Sequence, residues 1–216
     1  MAAAHMIGVL QQEGLWSIQA AWGIIFPMSR TDQMIRRAQQ GEGGAVAWLY
    51  EHYAQQIYRY IYYRVGTETD AEDLTAEVFV RMVEGLSSYR LTGAPFEAWL
   101  YRIAEARIID FRRRANRRPQ VELLDNLIDQ SALPEEHAQQ KQELEQLAQA
   151  LRQLNEEQQA ILILRFVERK SHEEVAQLLN KSVTAVKSAQ HRALMQLVSL
   201  LGSDEKVRHY LRGSYD

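Results

Sequence analysis

The sequence predicts an all-α protein built from two small helical domains joined by an acidic linker. Three observations carry this. From Ser29 onward apolar residues recur at three- and four-residue steps, no stretch alternates apolar and polar positions as a half-buried strand does, and capping residues with Gly or Pro breaks cut the pattern into short segments. A length of 216 residues suits one large domain or two small ones. There is no Cys, which excludes disulfides, zinc-thiolate sites and thiol catalysis, points to a cytoplasmic location and leaves packing to hold the fold.

Thr31 can cap a first short helix that stops at Gly41. A longer helix follows, with Val46, Leu49, Tyr50, Tyr53, Ile57, Tyr60 and Ile61 on one face, ending near Gly66. Thr69 and Asp70 precede a third helix whose apolar face is Ala71, Leu74, Val78, Phe79, Met82, Val83 and Leu86. Glu72 and Asp73 lie in its first turn, where the helix dipole favours negative charge. A loop through Leu91, Thr92, Gly93 and Ala94 leads to Pro95 at a helix start, then to a stripe of Phe96, Trp99, Leu100, Ile103, Ile108 and Phe111. That helix ends in a basic tip over residues 112–118, with five Arg and no acid.

Residues 119–133 lose the periodicity and read as linker. Pro134 can open another helix with Leu144, Leu147, Leu151 and Leu154, either a short coiled-coil seam or cover for the second domain's core. Asn155 and Gln158 form a capping-box pattern before Ile161, Leu162, Leu164 and Phe166. Ser171 and Glu174 form another, opening a short helix through Val175, Ala176, Leu178 and Leu179. A break at 180–182 separates it from a last helix with Val186, Ala189, Ala193, Leu194 and Leu197, which together make a helix-turn-helix.

A net charge of −3 argues against a nucleic-acid binder until its distribution is read. Residues 119–150 carry −6, whereas 28–118 and 151–201 each carry +2. The helix-turn-helix presents Lys187, Ser188, His191 and Arg192 between its apolar positions, as a helix reading the major groove must. The arginine tip can neutralise phosphates, and the aromatic, Gly-containing loop at 89–96 beside it suits unstacked bases. His52, His137, His172, His191 and His209 show no metal-ligand spacing, and no phosphate-binding Gly loop is present, so no catalytic residue, metal or cofactor is assigned.

The stretches 49–53, 58–60, 64–66, 70–79, 96–104 and 109–113 together resemble the sigma-two domain of bacterial sigma factors. Leu151 to Leu154, Leu164 to Phe166, Glu173 to Leu179, Val186 to Ser188 and His191 to Ala193 resemble the sigma-four domain. The ordered pair is similar to the extracytoplasmic-function group of the sigma-70 superfamily, group IV. It implies a non-enzymatic subunit that binds core RNA polymerase, recognises promoters, melts the −10 element and starts transcription. In that reading residues 28–118 bind polymerase and the −10 element, 119–140 are the acidic linker, 141–201 bind the −35 element and 202–216 are a tail.

The resemblance implies residue roles. Asp73 and Glu77 would meet the polymerase clamp helices, and Leu154 and Phe166 the flap. Arg90 and Thr92 lie in the loop that captures a flipped −10 base, with Arg107, Arg113, Arg114 and Arg117 holding the strands. Lys181, Ser182, Lys187, Ser188, His191 and Arg192 would contact the −35 element. Ala76, Ala106 and Ala189 stand where the family often has polar side chains. The linker's charge suits a basic channel such as the RNA-exit path, or a plain tether. An anti-sigma protein is a further expected partner, and no membrane insertion is expected.

Met1 to Met6 read as a vector-derived scar. Residues 7–27 form an apolar extension, interrupted by polar residues before it reaches membrane-crossing length; it is either an addition ahead of a natural start at Met28 or a docking segment. The competing reading is a helix-turn-helix transcription regulator whose first half is a helical sensor domain. The two differ in partner: a sigma factor binds core polymerase without DNA, a regulator binds its duplex unaided.

Overall fold

A computed structural model of the chain describes residues 28–117, 146–147 and 149–202. All regular structure among them is helical, as the periodicity predicts. Before the linker lie α1 (Arg30–Gln39), α2 (Gly43–Val65), α3 (Glu68–Leu86) and α4 (Phe96–Arg117). After it come α5 (Glu156–Leu162), a π-helical turn over Ile163–Val167, α6 (His172–Leu179) and α7 (Val183–Leu201). The chain forms two compact units, one ending at Leu49 and one beginning at Tyr50, so the first block from Tyr50 onward and the second block share the second unit. The linker at 119–140, the extension at 1–27 and the tail beyond Gly202 lie outside the described residues.

In the first unit Ser29 caps α1, in place of the expected Thr31. Its backbone is extended and its Oγ accepts from the Asp32 N–H at 3.1 Å, whereas Thr31 already stands inside the helix. Ile35 and Ala38 are buried, and Gly41 takes the left-handed conformation (φ 87°) that a side chain would resist.

In the second unit the later part of α2 buries Tyr53, Ile57, Tyr60, Ile61 and Arg64, one stripe at three- and four-residue steps. α3 starts earlier than expected because Thr67 caps it, accepting from the Asp70 N–H. Its buried face is Ala71, Leu74, Thr75, Val78, Phe79, Met82 and Leu86, and Thr75 Oγ1 is satisfied by donating to the Ala71 carbonyl at 2.6 Å. Val83, read from the sequence as part of that face, is 50% exposed: Met82 fills the inward position and Val83 turns to solvent. α4 packs on α3 with Phe96, Leu100, Ala104 and Ile108 at four-residue steps.

The core of this block holds one charge. Arg64, its side chain fully buried, donates to Glu105 Oε1 at 3.0 Å, to Glu105 Oε2 and to Tyr60 Oη at 2.8 Å. Tyr60 donates in turn to Glu105 Oε2 at 2.9 Å. Burial works against the guanidinium charge, but Tyr60 and Glu105 outweigh it and hold the pKa above its ordinary value.

The second block is ordered around its caps. Asn155 and Gln158 make the predicted box at the start of α5, and Ser171 and Glu174 make the one at α6. Leu147, Ala150, Leu151, Leu154, Leu162, Ala193 and Leu197 form its core, so the leucine stripe from Leu147 onward covers a core, and Leu144 lies outside the described residues. The π-turn is not foreshadowed by any residue type. It carries Arg165 and Phe166 and runs into Arg169, a non-Gly residue at positive φ (54°).

A seam of polar contacts joins the blocks. α6 packs against α4. Arg59 donates to both oxygens of Glu168 at 2.8 and 2.7 Å, and Lys170 to both oxygens of Glu97 at 3.0 Å. Arg112 Nη2 donates to Gln159 Oε1 at 2.8 Å and to the Arg64 carbonyl at 3.1 Å, with Glu156 at 3.6 Å. Tyr63 packs on the leucine core, and the Arg152 guanidinium lies over Gly66, where a Cβ would come within 2.5 Å of it.

Removing one partner of a buried pair leaves a charge without compensation. Glu105→Ala is expected to lower the unfolding free energy by about 3 kcal/mol, the low end for a buried pair because Glu105 is partly exposed. Arg64→Met with Glu105→Leu should lose much less. Urea unfolding followed by circular dichroism measures both.

Candidate nucleic-acid interface

The helix-turn-helix is set by local chemistry. α6 ends at Asn180 in the left-handed conformation, with Ser182 capping α7 two residues on. Its Oγ accepts from the Ala185 N–H at 3.1 Å, so Ser182, expected at the −35 element, serves first as the cap that fixes where the recognition helix begins. Val186, Ala189, Ala193 and Leu197 are buried, while Lys187, Ser188, His191 and Arg192 are exposed together on the outer face. Lys181 is exposed and paired with Glu157 at 3.1 Å.

The sequence reading missed Thr184 and Ala185, both exposed in the first turn of α7. The N-terminal residues of a recognition helix are those that reach base edges. The cap was the signal that could have found them, since placing it at Ser182 makes them the leading residues. The angle between α6 and α7 is pinned by Gln190, whose Oε1 accepts from Arg165 Nε at 3.2 Å and contacts His172 Nε2 at 2.9 Å.

The second candidate surface is the loop before α4. Arg90, Leu91, Thr92, Gly93 and Ala94 are all exposed, and Gly93 has φ 82°. Beneath the loop the Tyr89 ring lies 4.7 Å from Trp99 and 5.3 Å from Phe96. Trp99 rests on Gly85, where an added Cβ would come within 3.0 Å of its ring, so this glycine makes room for the indole. Tyr89 and Trp99 are aromatic surface beside the loop, of the kind on which unstacked bases settle, and the sequence reading counted Trp99 only as core.

The arginine tip is not one surface. Arg113 and Arg114 are exposed, Arg107 pairs with Asp110 at 2.8 Å, and Arg112 turns to the second block. Burial, then the nearby Arg64 charge, lower the Arg112 pKa. The Arg117 side chain lies outside the described residues.

The third surface is acidic. Asp73, Glu77, Val80 and Glu84 follow at steps of four, three and four along α3 and are exposed, with Val80 57% accessible. Val83 adds to an apolar strip beside the acids, which suits a protein partner with basic and apolar groups. Leu154 is buried in the second block's core and Phe166 is half-buried against it.

Residues 49–118 match the family model for sigma-70 region 2, and residues 144–197 that for sigma-70 region 4. The sequence is 37% identical over 182 residues to the ECF RNA polymerase sigma factor BldN of Streptomyces coelicolor, covering 82% of this chain and 68% of that one. The chain belongs to the ECF sigma-factor family. It is also 32% identical over 172 residues to the ECF sigma factor SigX of Bacillus subtilis, covering 74% of this chain and 88% of that one. The fold matches the structure of CnrH in complex with the cytosolic domain of CnrY, at TM-score 0.58 and 23% identity over 78% of this chain and 95% of that one. With region 2 occupying the first block, the reading as a regulator with a sensor domain falls away. Sigma factors are non-enzymatic regulators of transcription, and no helix among the described residues is long and apolar enough to cross a membrane.

The capping box gives a pH signature. The Ser171 N–H, 2.6 Å from Glu174 Oε2, and the Ser171 side chain hold the Glu174 carboxyl below its ordinary value. A lowered acid contributes stability that is present above the ordinary carboxylate range and lost as the pH falls through the lowered value. Glu174→Gln is therefore expected to melt below the parent protein at neutral pH, with the difference in Tm shrinking toward acid. Thermal melts across that range measure it.

Proposed function

We propose that this chain is a cytoplasmic, non-enzymatic sigma factor that binds core RNA polymerase, brings it to particular promoters, opens the −10 element and starts transcription. The observation that carries the reading is the pairing, within one chain, of a capped helix-turn-helix with a second nucleic-acid surface made of a loop, aromatic rings and arginines.

Each surface has a division of labour. Lys187 and Arg192 supply charge for phosphates or purine edges, and Ser188, His191, Thr184 and Ala185 lie where base edges are read. Thr184 and Ala185 carry methyl groups suited to the thymine methyl. At the loop, Arg90 and Thr92 hold a base drawn from the duplex, Tyr89 and Trp99 give it a surface, and Arg113 and Arg114 track the strand. Unstacking costs a few kcal/mol per base, so this surface has to return at least that much. The acidic strip of α3, with Asp73 and Glu77, takes the polymerase clamp, and Leu154 with Phe166 belongs to the flap-docking block. The functional blocks run over 28–118 and 141–201. BldN and CnrH appear in structures with RsbN and CnrY, which supports an anti-sigma protein as a regulator here.

Asp73→Arg with Glu77→Arg is expected to reduce capture of core polymerase in the absence of DNA by at least tenfold, about 1.4 kcal/mol, measured by pull-down. Undiminished capture removes the clamp assignment. Lys187→Ala with Arg192→Ala should leave that capture intact and lower promoter-dependent transcription in vitro. Each lost phosphate contact should also flatten the salt dependence of promoter binding by about 0.9 log units per log unit of salt.

A further inference from the structure

The proposed function asks α7 to present Thr184, Ala185, Lys187, Ser188, His191 and Arg192 at fixed places in a groove. Two coordinates have to be set: where the helix begins, and how it is rolled about its axis. Ser182 sets the first by capping. The buried stripe sets the second only weakly. It consists of Val186, Ala189, Ala193 and Leu197, and the two alanines at its middle offer a smooth face. Apolar contact has no direction, so small side chains resist rolling little. On a helix about 10–12 Å across, a roll of about 20° moves a side-chain tip by about 2 Å. A hydrogen bond needs donor and acceptor within about 2.7–3.2 Å, so such a roll disengages a base contact.

A directional tie is present at Gln190, half-buried between buried Ala189 and exposed His191. Its Oε1 accepts from Arg165 Nε at 3.2 Å and lies 2.9 Å from His172 Nε2. Arg165 stands in the π-helical turn and His172 at the first position of α6, so one oxygen of α7 is held from both neighbouring elements. Donor chemistry decides the orientations. A guanidinium nitrogen only donates, so Gln190 must turn its oxygen, and not its NH2, toward Arg165. That oxygen only accepts, so His172 carries a proton on Nε2.

Arg165 is held in its turn. Its Nη1 donates to the Lys170 carbonyl, and the Lys170 N–H donates to the Leu164 carbonyl at 3.0 Å, which closes the loop between the π-turn and α6. π-helical turns recur at functional sites, and this one carries the guanidinium that meets α7.

We propose that Gln190 is a positioning residue for promoter reading, the single acceptor through which Arg165 and His172 set the roll of α7. It acts without touching DNA. Its loss leaves every phosphate-binding charge in place and spoils the alignment of the reading face, so it governs discrimination between sequences and not affinity for DNA in general. The role rests on α7 reading the −35 element, whereas the hydrogen bonds that carry it do not.

Gln190→Met keeps the size of the side chain and removes the acceptor, while Gln190→Glu keeps the acceptor. The probes are a −35 duplex selected from a random library by the parent chain bound to core polymerase, and a scrambled duplex of the same length. Gln190→Met is expected to lower the ratio of the two affinities about tenfold, the scale of losing the reading of one base pair. Binding to the scrambled duplex and its salt slope should not change. Gln190→Glu should restore the ratio, and adding His172→Phe to Gln190→Met should lower it no further. Nitrogen-15 NMR of the His172 ring in the free full-length protein reads the tie without DNA. The parent and Gln190→Glu should show a slowly exchanging proton on Nε2, and Gln190→Met a rapidly exchanging one. A Gln190→Met chain that keeps the parent ratio, or one that loses affinity for both duplexes alike, overturns the positioning role, and so does a parent His172 ring without a proton on Nε2. If the ring behaves as expected but the parent selects no duplex, the tie is real and the assignment of α7 to the −35 element is what fails.

Discussion

A guanidinium taken from water into a helical core faces a desolvation penalty of several kcal/mol unless its donors meet acceptors of opposite charge, and Arg64 meets that condition nearly in full. Nη1 and Nη2 reach both oxygens of Glu105, and Tyr60 closes the triangle. Only Nε is left without a partner. Because Arg64 and Tyr60 come from α2 and Glu105 from α4, the arrangement fixes how those helices meet more tightly than apolar contact alone, which tolerates sliding. The loop and arginine tip at the two ends of α4 inherit their positions from it.

That constraint reaches the second block through the backbone. The Arg64 carbonyl, near the end of α2, accepts from Arg112, whose same nitrogen donates to Gln159. Gln159 is itself buried and donates to the Arg152 and Leu154 carbonyls, the last polar groups of the leucine segment. Helix ends leave carbonyls without intrahelical partners, and side chains are one way to satisfy them. A chain of such bonds therefore links the core charge of one block to the helix end that organises the other. The residues in it are polar because they satisfy helix ends.

What could be read from the sequence was what neighbours in sequence decide. The boxes at Asn155 and Ser171, the turn at Asn180 and the outward face of Lys187, Ser188, His191 and Arg192 depend on residues within four positions of one another. Where two local solutions compete, the reading slipped: Ser29 and Thr31 are both good caps, and the extended backbone at Ser29 settles it. Met82 and Val83 are both apolar, and only packing says which turns inward. Trp99 looked like core because its space depends on Gly85, fourteen positions earlier. The pairs across the seam lie 44 to 109 positions apart, and no periodicity encodes them.

The arginine tip shows why counting charges is a weak guide to a binding face. Read along the chain, the Arg at 112–118 form one basic run, but in space Arg107 is answered by Asp110, Arg112 by the second block, and Arg113 and Arg114 stand in solvent. An arginine with an internal partner is not available to an outside anion while that partner holds it, so the charge count overstates the basic face. The seam follows the same logic. A contact of this kind made from Leu and Phe would close nearly irreversibly and would expose a large apolar patch on opening. Built from the ion pairs Arg59–Glu168, Lys170–Glu97 and Arg112–Glu156, it sets charged groups on both facing surfaces, with the Tyr63 and Tyr101 rings beside them.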